Sequence, residues 1–165
     1  MKEINLSHLK LKTFTEQDVI DYCQINNLNP NNIKELNLSN NELTDISGIR
    51  LFKNLKLLYL HKNYLTDISV LKNLNKLEFL NIESNKITNI SIIKNSIKLR
   101  YFYIGDNPLT DISVIQNLKI NSLGISNLNL KSDQIKYINS VNTLKTVFCN
   151  DKKINNMLKK NILKI

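Results

Sequence analysis

His8, His61, Cys23 and Cys149 are the only histidines and cysteines in the chain. With its 14 Asp and Glu residues, they are the side chains from which a metal site or an acid–base centre would have to be built. Their spacing argues against both. His8 and His61 stand 53 residues apart, and neither belongs to a His-x-x-x-His or Cys-x-x-Cys ligand pair. Cys23 and Cys149 are 126 positions apart, too few and too distant for a disulfide framework, and both suit burial better than nucleophilic chemistry. Three scattered Gly cannot cradle a phosphate, and no nucleophile elbow or kinase-type set is present. One pairing stands out, His61 with Glu83. A hydrogen-bonded His–Glu pair on a shared surface is expected there. With no nucleophile or metal beside it, His61 reads as a contact residue rather than a general base. No catalysis, no cofactor and no metal is therefore expected. Asn-x-Ser sequons at Asn5, Asn37 and Asn89 are no more than chance supplies among 28 Asn, and carry no weight.

The interval of 22 residues between His61 and Glu83 is also the period of the chain. Shifting by that interval places Leu36-x-Leu38-x-x-Asn41-x-Leu43 on Leu58-x-Leu60-x-x-Asn63-x-Leu65, then on Leu80-x-Ile82-x-x-Asn85-x-Ile87 and Phe102-x-Ile104-x-x-Asn107-x-Leu109. The second halves keep step as Thr44-Asp45-Ile46-Ser47, Thr66-Asp67-Ile68-Ser69, Thr88-Asn89-Ile90-Ser91 and Thr110-Asp111-Ile112-Ser113. Alternating apolar residues make a short strand with every second side chain inward. Asn41, Asn63, Asn85 and Asn107 form a structural ladder whose amides can satisfy backbone groups left free in the turn. A unit this small cannot bury its own core and must stack on its neighbours.

At these residues the chain resembles the leucine-rich-repeat family, in the 22-residue class found in internalins and in a regulatory subunit of protein phosphatase 1. The Asp-Ile-Ser run after the strand is similar to that of the internalins in particular. The resemblance implies an α/β solenoid: a right-handed array with a parallel concave β-sheet, short convex turns or 3-10 helices, and helical end caps. None of the phosphatase subunit's contact residues can be carried across from the repeat motif.

The chain reads as a single domain, 1–165, in three parts. Residues 1–33 are an N-terminal cap with a degenerate first strand, Ile4-x-Leu6-x-x-Leu9-x-Leu11, and a helix. Thr15-Glu16-Gln17-Asp18 starts that helix in near capping-box form, and Val19, Tyr22 and Cys23 make its buried stripe. Residues 34–119 carry the regular repeats. Residues 120–165 hold irregular repeats, Leu123-x-Ile125-x-x-Leu128-x-Leu130 and Val147-x-Cys149-x-x-Lys152-x-Ile154, and a C-terminal helical cap. In that cap Ile154, Met157, Leu158, Ile162 and Ile165 are expected on one helical face, opposite Lys159, Lys160 and Lys164.

Residues between the inward positions face out on the concave side, giving Glu35/Asn37, Leu57/Tyr59, Phe79/Asn81, Tyr101/Tyr103, Ser122/Gly124 and Thr146/Phe148 on successive strands. At a strand spacing of about 4.8 Å, Leu57, Phe79 and Tyr101 form a contiguous ladder flanked by Tyr59 and Tyr103. The next columns add Ser39, His61, Glu83 and Gly105, then Asn40, Lys62, Ser84 and Asp106. An aromatic centre with a polar rim is the layout of a protein-binding hot spot. Aromatics also pack on each other along strands, but ladder packing alone would not favour the middle repeats over the ends. The expected protein-binding set is Leu57, Tyr59, His61, Phe79, Asn81, Glu83, Tyr101, Tyr103 and Asp106.

Composition limits the alternatives. Leu and Ile supply 49 residues, Asn 28 and Lys 21, with no Ala at all, the bias of an AT-rich genome. A viral or parasite effector would fit that bias. The net charge of +9 is uneven: five Lys in 152–165 leave +4 elsewhere, so a basic end is indicated and a nucleic-acid-coating surface is not. Lys34, Lys56, Arg100 and Lys145 precede the strands, interrupted by Glu78 and Asn121, and read as a solvated edge. With no apolar leader and no long apolar run, the expectation is a cytoplasmic, monomeric, non-catalytic module that binds a partner protein, without membrane or nucleic acid. Two alternatives stay open: a nucleic-acid- or ribonucleoprotein-associated factor using the basic edge and C-terminal helix, and a regulatory subunit of an enzyme such as a phosphatase.

Overall fold

A computed structural model describes residues 2–165. Eight parallel strands form one open sheet in chain order: β1 (Lys2–Asn5), β2 (Ile33–Asn37), β3 (Leu57–Tyr59), β4 (Phe79–Asn81), β5 (Tyr101–Tyr103), β6 (Ser122–Gly124), β7 (Thr146–Phe148) and β8 (Leu163–Lys164). Three residues suffice for most strands because each lends only its middle side chain to the interior. Leu36, Leu58, Leu80, Phe102, Leu123 and Val147 occupy that position and are fully buried. The second inward column, Leu38, Leu60, Ile82, Ile104, Ile125 and Cys149, lies directly behind them in the core. The molecule is an α/β solenoid.

After each strand the chain must turn sharply. Asn40, Lys62, Ser84, Asp106 and Asn127 all take the left-handed conformation, with φ of 52–56°. Asn tolerates that region, whereas an ordinary side chain costs about 1–2 kcal/mol there. Replacing Ser84 with Gly is therefore expected to stabilise the chain by about 0.5–1 kcal/mol after the entropy of Gly in the unfolded state is set against it. A urea denaturation midpoint that does not rise would contradict this.

The Asp-Ile-Ser run gains a physical role. Asp45, Asp67, Asn89 and Asp111 each accept, through Oδ1, the backbone N–H of the Ser two residues on, every one at 2.7 Å. Those turns open the convex 3-10 helices Ser47–Leu51, Ser69–Asn73, Ser91–Asn95 and Ser113–Asn117. Their inward residues Ile49, Leu71, Ile93 and Ile115 close the core from the back.

At the N-terminal end, α1 (Glu16–Ile25) starts with a full capping box: Asp18 N–H donates to Thr15 Oγ1 at 3.3 Å, and Thr15 N–H to Asp18 Oδ2 at 2.7 Å. Val19 and Cys23 are buried and Tyr22 packs against the core. The degenerate first repeat needs a correction. Leu9 is exposed, not inward, because His8 and Lys10 are both left-handed and turn the chain outward. No Asn stands at that position, and Asn41 makes to this repeat the bonds that Asn63 makes to the one after it, with the Leu9 N–H as an added donor. Asn41 Oδ1 accepts the N–H groups of Leu9 and Leu11, and its Nδ2 donates to Leu6 O at 2.8 Å.

The C-terminal cap differs more. α3 (Lys152–Met157) is capped by Asp151, whose carboxylate accepts from Lys153 and Ile154 N–H. It ends at Met157, and the chain then extends to form β8 instead of continuing as one helical face. Ile154, Leu158 and Ile162 are buried, whereas Met157 and Ile165 are exposed. α2 (Ile135–Ser140) packs on the convex helix Ser113–Asn117 and carries the irregular sixth repeat. Among the described residues no helix is long and apolar enough to cross a membrane.

Candidate functional site

Strand pairing fixes the outward columns. Glu35 lies beside Leu57, Leu57 beside Phe79, Phe79 beside Tyr101 and Tyr101 beside Ser122. The parallel column runs Asn37, Tyr59, Asn81, Tyr103, Gly124 and Phe148. Phe79 is the hub of the face. Its ring centroid lies 4.7 Å from Tyr59, 5.6 Å from Tyr103 and 6.3 Å from Tyr101, all tilted. These separations are those of favourable aromatic pairs. The rings nevertheless keep open faces, and Tyr101 is 45% exposed.

Phe148 joins this group and sequence reasoning missed it. Its centroid lies 5.7 Å from that of Tyr103 although β6 stands between their strands. The intervening residue is Gly124, where an added Cβ would fall 2.5 Å from Tyr103 Cδ1. The absent side chain lets the Tyr103 ring lean across β6. A Gly placed between two aromatics in one outward column was the available signal.

Glu83 leans the same way. Its Oε1 would lie 3.3 Å from a Cβ on Gly105 and 3.1 Å from one on Gly124, so the carboxylate reaches over two strands that offer no side chain there. Oε2 accepts a 3.2 Å hydrogen bond from Asn81 Nδ2. Burial pushes the Glu83 carboxyl above its usual range, the Asn81 bond opposes this, and Asp106 adds to it. The expected His61–Glu83 hydrogen bond is not formed. Glu83 has turned toward β6, and His61 Nδ1 is buried without a partner. Burial holds the imidazole below its ordinary value, helped by Lys62 and His8. His61 therefore contributes a neutral ring to the edge of the aromatic face. Asp106 stands at the exposed turn and accepts from Asn127 Nδ2 at 2.7 Å.

The remaining residues are structural. Asn41, Asn63, Asn85 and Asn107 are buried, and their amides tie each repeat to the one before. Cys23 and Cys149 are buried thiols whose pKa burial raises, the inert direction. The basic edge is partly engaged by its own protein. Lys56 Nζ pairs with Glu78 at 2.6 Å, and that hydrogen bond leads the causes holding the Glu78 carboxyl below its usual range. Arg100 donates to the carbonyls of Ile97, Leu99 and Lys119.

Comparison with known proteins agrees with this architecture. The family model described as leucine-rich repeats in two copies matches residues 31–73, 53–95 and 75–120. An internalin (inlF) from Listeria monocytogenes is 27% identical with a TM-score of 0.77 over 97% of this chain and 57% of that one. The chain thus spans little more than half of that relative. Internalin C2 from the same organism is 22% identical, with a TM-score of 0.68 over 99% of this chain and 79% of that one. A Leptospira interrogans leucine-rich-repeat protein is 24% identical, with a TM-score of 0.71 over 100% of this chain and 42% of that one. A comparison with curated protein sequences gives no match. The family's repeat model covers more than half of the chain, and the strand, Asn and Asp-Ile-Ser positions that it rests on each do the structural work described above: the chain belongs to the leucine-rich-repeat family.

Proposed function

We propose that this chain is a non-catalytic interaction module that binds a partner protein on its concave face. Folds of this family are typically protein-interaction modules, which supports the general class. The observation that carries the site is the continuous aromatic group of Tyr59, Phe79, Tyr101, Tyr103 and Phe148 on a sheet face that the core does not need. Leu57, His61, Asn81, Glu83 and Asp106 make its rim. At roughly 150–250 Å² per aromatic side chain, partial exposure still offers a patch of a few hundred Å², the size that marks interaction sites. The mechanism is occupancy: holding, scaffolding or sequestering one partner by a monomer, in the cytoplasm, with no membrane or nucleic acid involved.

The test changes Leu57, Tyr59, Phe79, Tyr101 and Tyr103 to Ser together and repeats affinity capture from the source lysate. These side chains point away from the core, so the variant is expected to fold and to lose the partner recovered by the parent chain. Unchanged recovery by a folded variant would overturn the reading. The basic-edge alternative draws less support, since Lys56 and Arg100 already have partners within the chain. Filter binding to RNA at two salt concentrations tests it, because binding through several lysines weakens steeply with salt.

A further inference from the structure

The chain is basic overall, yet its aromatic face is bordered by acids. Glu35 adjoins Leu57 at the β2 side of the outward columns, and Glu83 and Asp106 stand just beyond the C-terminal ends of β4 and β5. None of these three carboxylates lies within ion-pair distance of a Lys or Arg among the described residues. Among the described residues Lys62 is the only cation in the same columns, and its charge acts on His61. At the Tyr59 end the ring group feels the acids, and at the Glu83 side the acids act on each other. The Tyr59 hydroxyl is pushed up by burial, then by Glu35 and Glu3, and the Glu83 carboxyl is raised by burial and by Asp106.

Glu83 gives this arrangement a specific centre. Its Oε2 has the Asn81 amide, while its Oε1 has no hydrogen-bond donor among the described residues. That oxygen and the Tyr103 ring edge approach the same point above Gly124, at 3.1 and 2.5 Å. A carboxylate beside an aromatic ring, over a floor of two glycines, has the parts that hold a guanidinium or an ammonium group. The ring supplies a cation–π surface and the carboxylate a charge-assisted hydrogen bond. The flanking carboxylates would deter an acidic segment or a nucleic acid.

We propose that the occupant of the concave face is a basic segment of a partner protein, whose Arg or Lys side chain seats against Tyr103 and Phe79 and pairs with Glu83 and Asp106. This rests on the concave face being the binding surface. The cation supplies the hydrogen-bond donor that Glu83 Oε1 lacks among the described residues, and the aliphatic stem of the same side chain lies along the rings.

The test pans a phage library of short randomised peptides on the intact chain. The best binder is then synthesised with each Arg changed to citrulline and each Lys to norleucine. Binding is measured by fluorescence polarisation to the parent chain and to the Glu83→Gln, Asp106→Asn and Phe79→Ser/Tyr101→Ser variants. Each variant is first checked for the parent's thermal unfolding profile. The expected result is enrichment of Arg- or Lys-bearing peptides that weaken about 10-fold to 100-fold on Glu83→Gln and by a similar factor on loss of the basic side chain. Peptides that need Phe79 and Tyr101 but ignore Glu83→Gln and Asp106→Asn would overturn the basic occupant and leave the concave face standing. Failure to enrich any peptide sensitive to Phe79→Ser/Tyr101→Ser would overturn both.

Discussion

Replacing Asn85 with Ala is expected to lower the free energy of unfolding by about 3–5 kcal/mol. The side chain does three jobs at once. Its Oδ1 accepts the Leu65 N–H at 3.0 Å, and its Nδ2 donates at 3.0 Å to both Leu60 O and Ile82 O. All these groups are buried, so no water replaces the amide. An orphaned buried N–H costs about 1–3 kcal/mol, and each further lost bond about 1 kcal/mol. Against a domain stability of about 5–15 kcal/mol, the loss is severe. Asn85→Asp is expected to be no better, because it keeps the acceptor but turns a donor into a carboxylate facing two carbonyls. Asn89→Ala is the control. It removes one exposed turn bond, to Ser91 N–H, and is expected to cost about 1 kcal/mol.

The ladder also makes a sharper statement about pairs. Leu60 O accepts from Asn63 and from Asn85, and Leu38 O from Asn41 and Asn63. Each shared carbonyl survives the loss of one amide with its other donor. Removing Asn63 and Asn85 together leaves Leu60 O with neither. The double variant should therefore lose more than the sum of the singles, whereas Asn41 and Asn107, which share no acceptor, should add. Urea denaturation of the parent, the four single variants and the two double variants measures both. Simple additivity of the Asn63 and Asn85 losses would mean that the amides act separately rather than as one chain of bonds.

The same ladder explains how much of the molecule could be read in advance. Repetition carries its own alignment, so one register assigned to Leu36 places every outward residue through Tyr103, while β6 and β7 had to be placed by their own motifs, at Leu123 and Val147, 21 and then 24 residues further on. What repetition could not convey was anything that happens across strands or at an end. The His61–Glu83 distance in sequence is one repeat, but whether Glu83 turns toward His61 or away depends on the absence of side chains one and two strands further on, at Gly105 and Gly124. Phe148 joins Tyr103 for the same reason. At the C-terminus, Ile154, Met157, Leu158 and Ile162 do follow a helical period. The open edge of β7 outweighs it, since Leu163 N–H finds Lys145 O, Ile165 N–H finds Val147 O and Cys149 N–H finds Ile165 O, all at 2.8–2.9 Å. A local pattern holds no information about an unpaired sheet edge that must be satisfied.

Gly48 gives the second large effect, and it runs against the repeat's own consensus. The equivalent positions are Val70, Ile92 and Val114, so Gly48→Val looks like a repair. In the fold it is expected to dislodge the N-terminal cap. A Cβ on Gly48 would stand 2.3 Å from Thr15 O and 2.8 Å from Phe14 O, and both atoms are backbone. The chain passes so close because Gly48 N–H donates to Phe14 O and Phe14 N–H to Asp45 O, each at 2.8 Å. Those bonds hold Phe14 in the core, stacked on Phe52 at 6.3 Å, and set the start of α1. Displacing Phe14 alone is worth about 3–5 kcal/mol, and Val19 and Cys23 follow it out. Because the first added carbon already makes the clash, Gly48→Ala should cost nearly as much as Gly48→Val. Gly→Ala at an unhindered site instead stabilises by about 0.4–1 kcal/mol. Hydrogen exchange should report the damage in residues 2–28 first, while the Asn-bonded strands β3 to β5 stay protected. If Gly48→Ala leaves exchange in α1 unchanged, the cap can give way at Thr15 without cost, and the close approach is not what holds it.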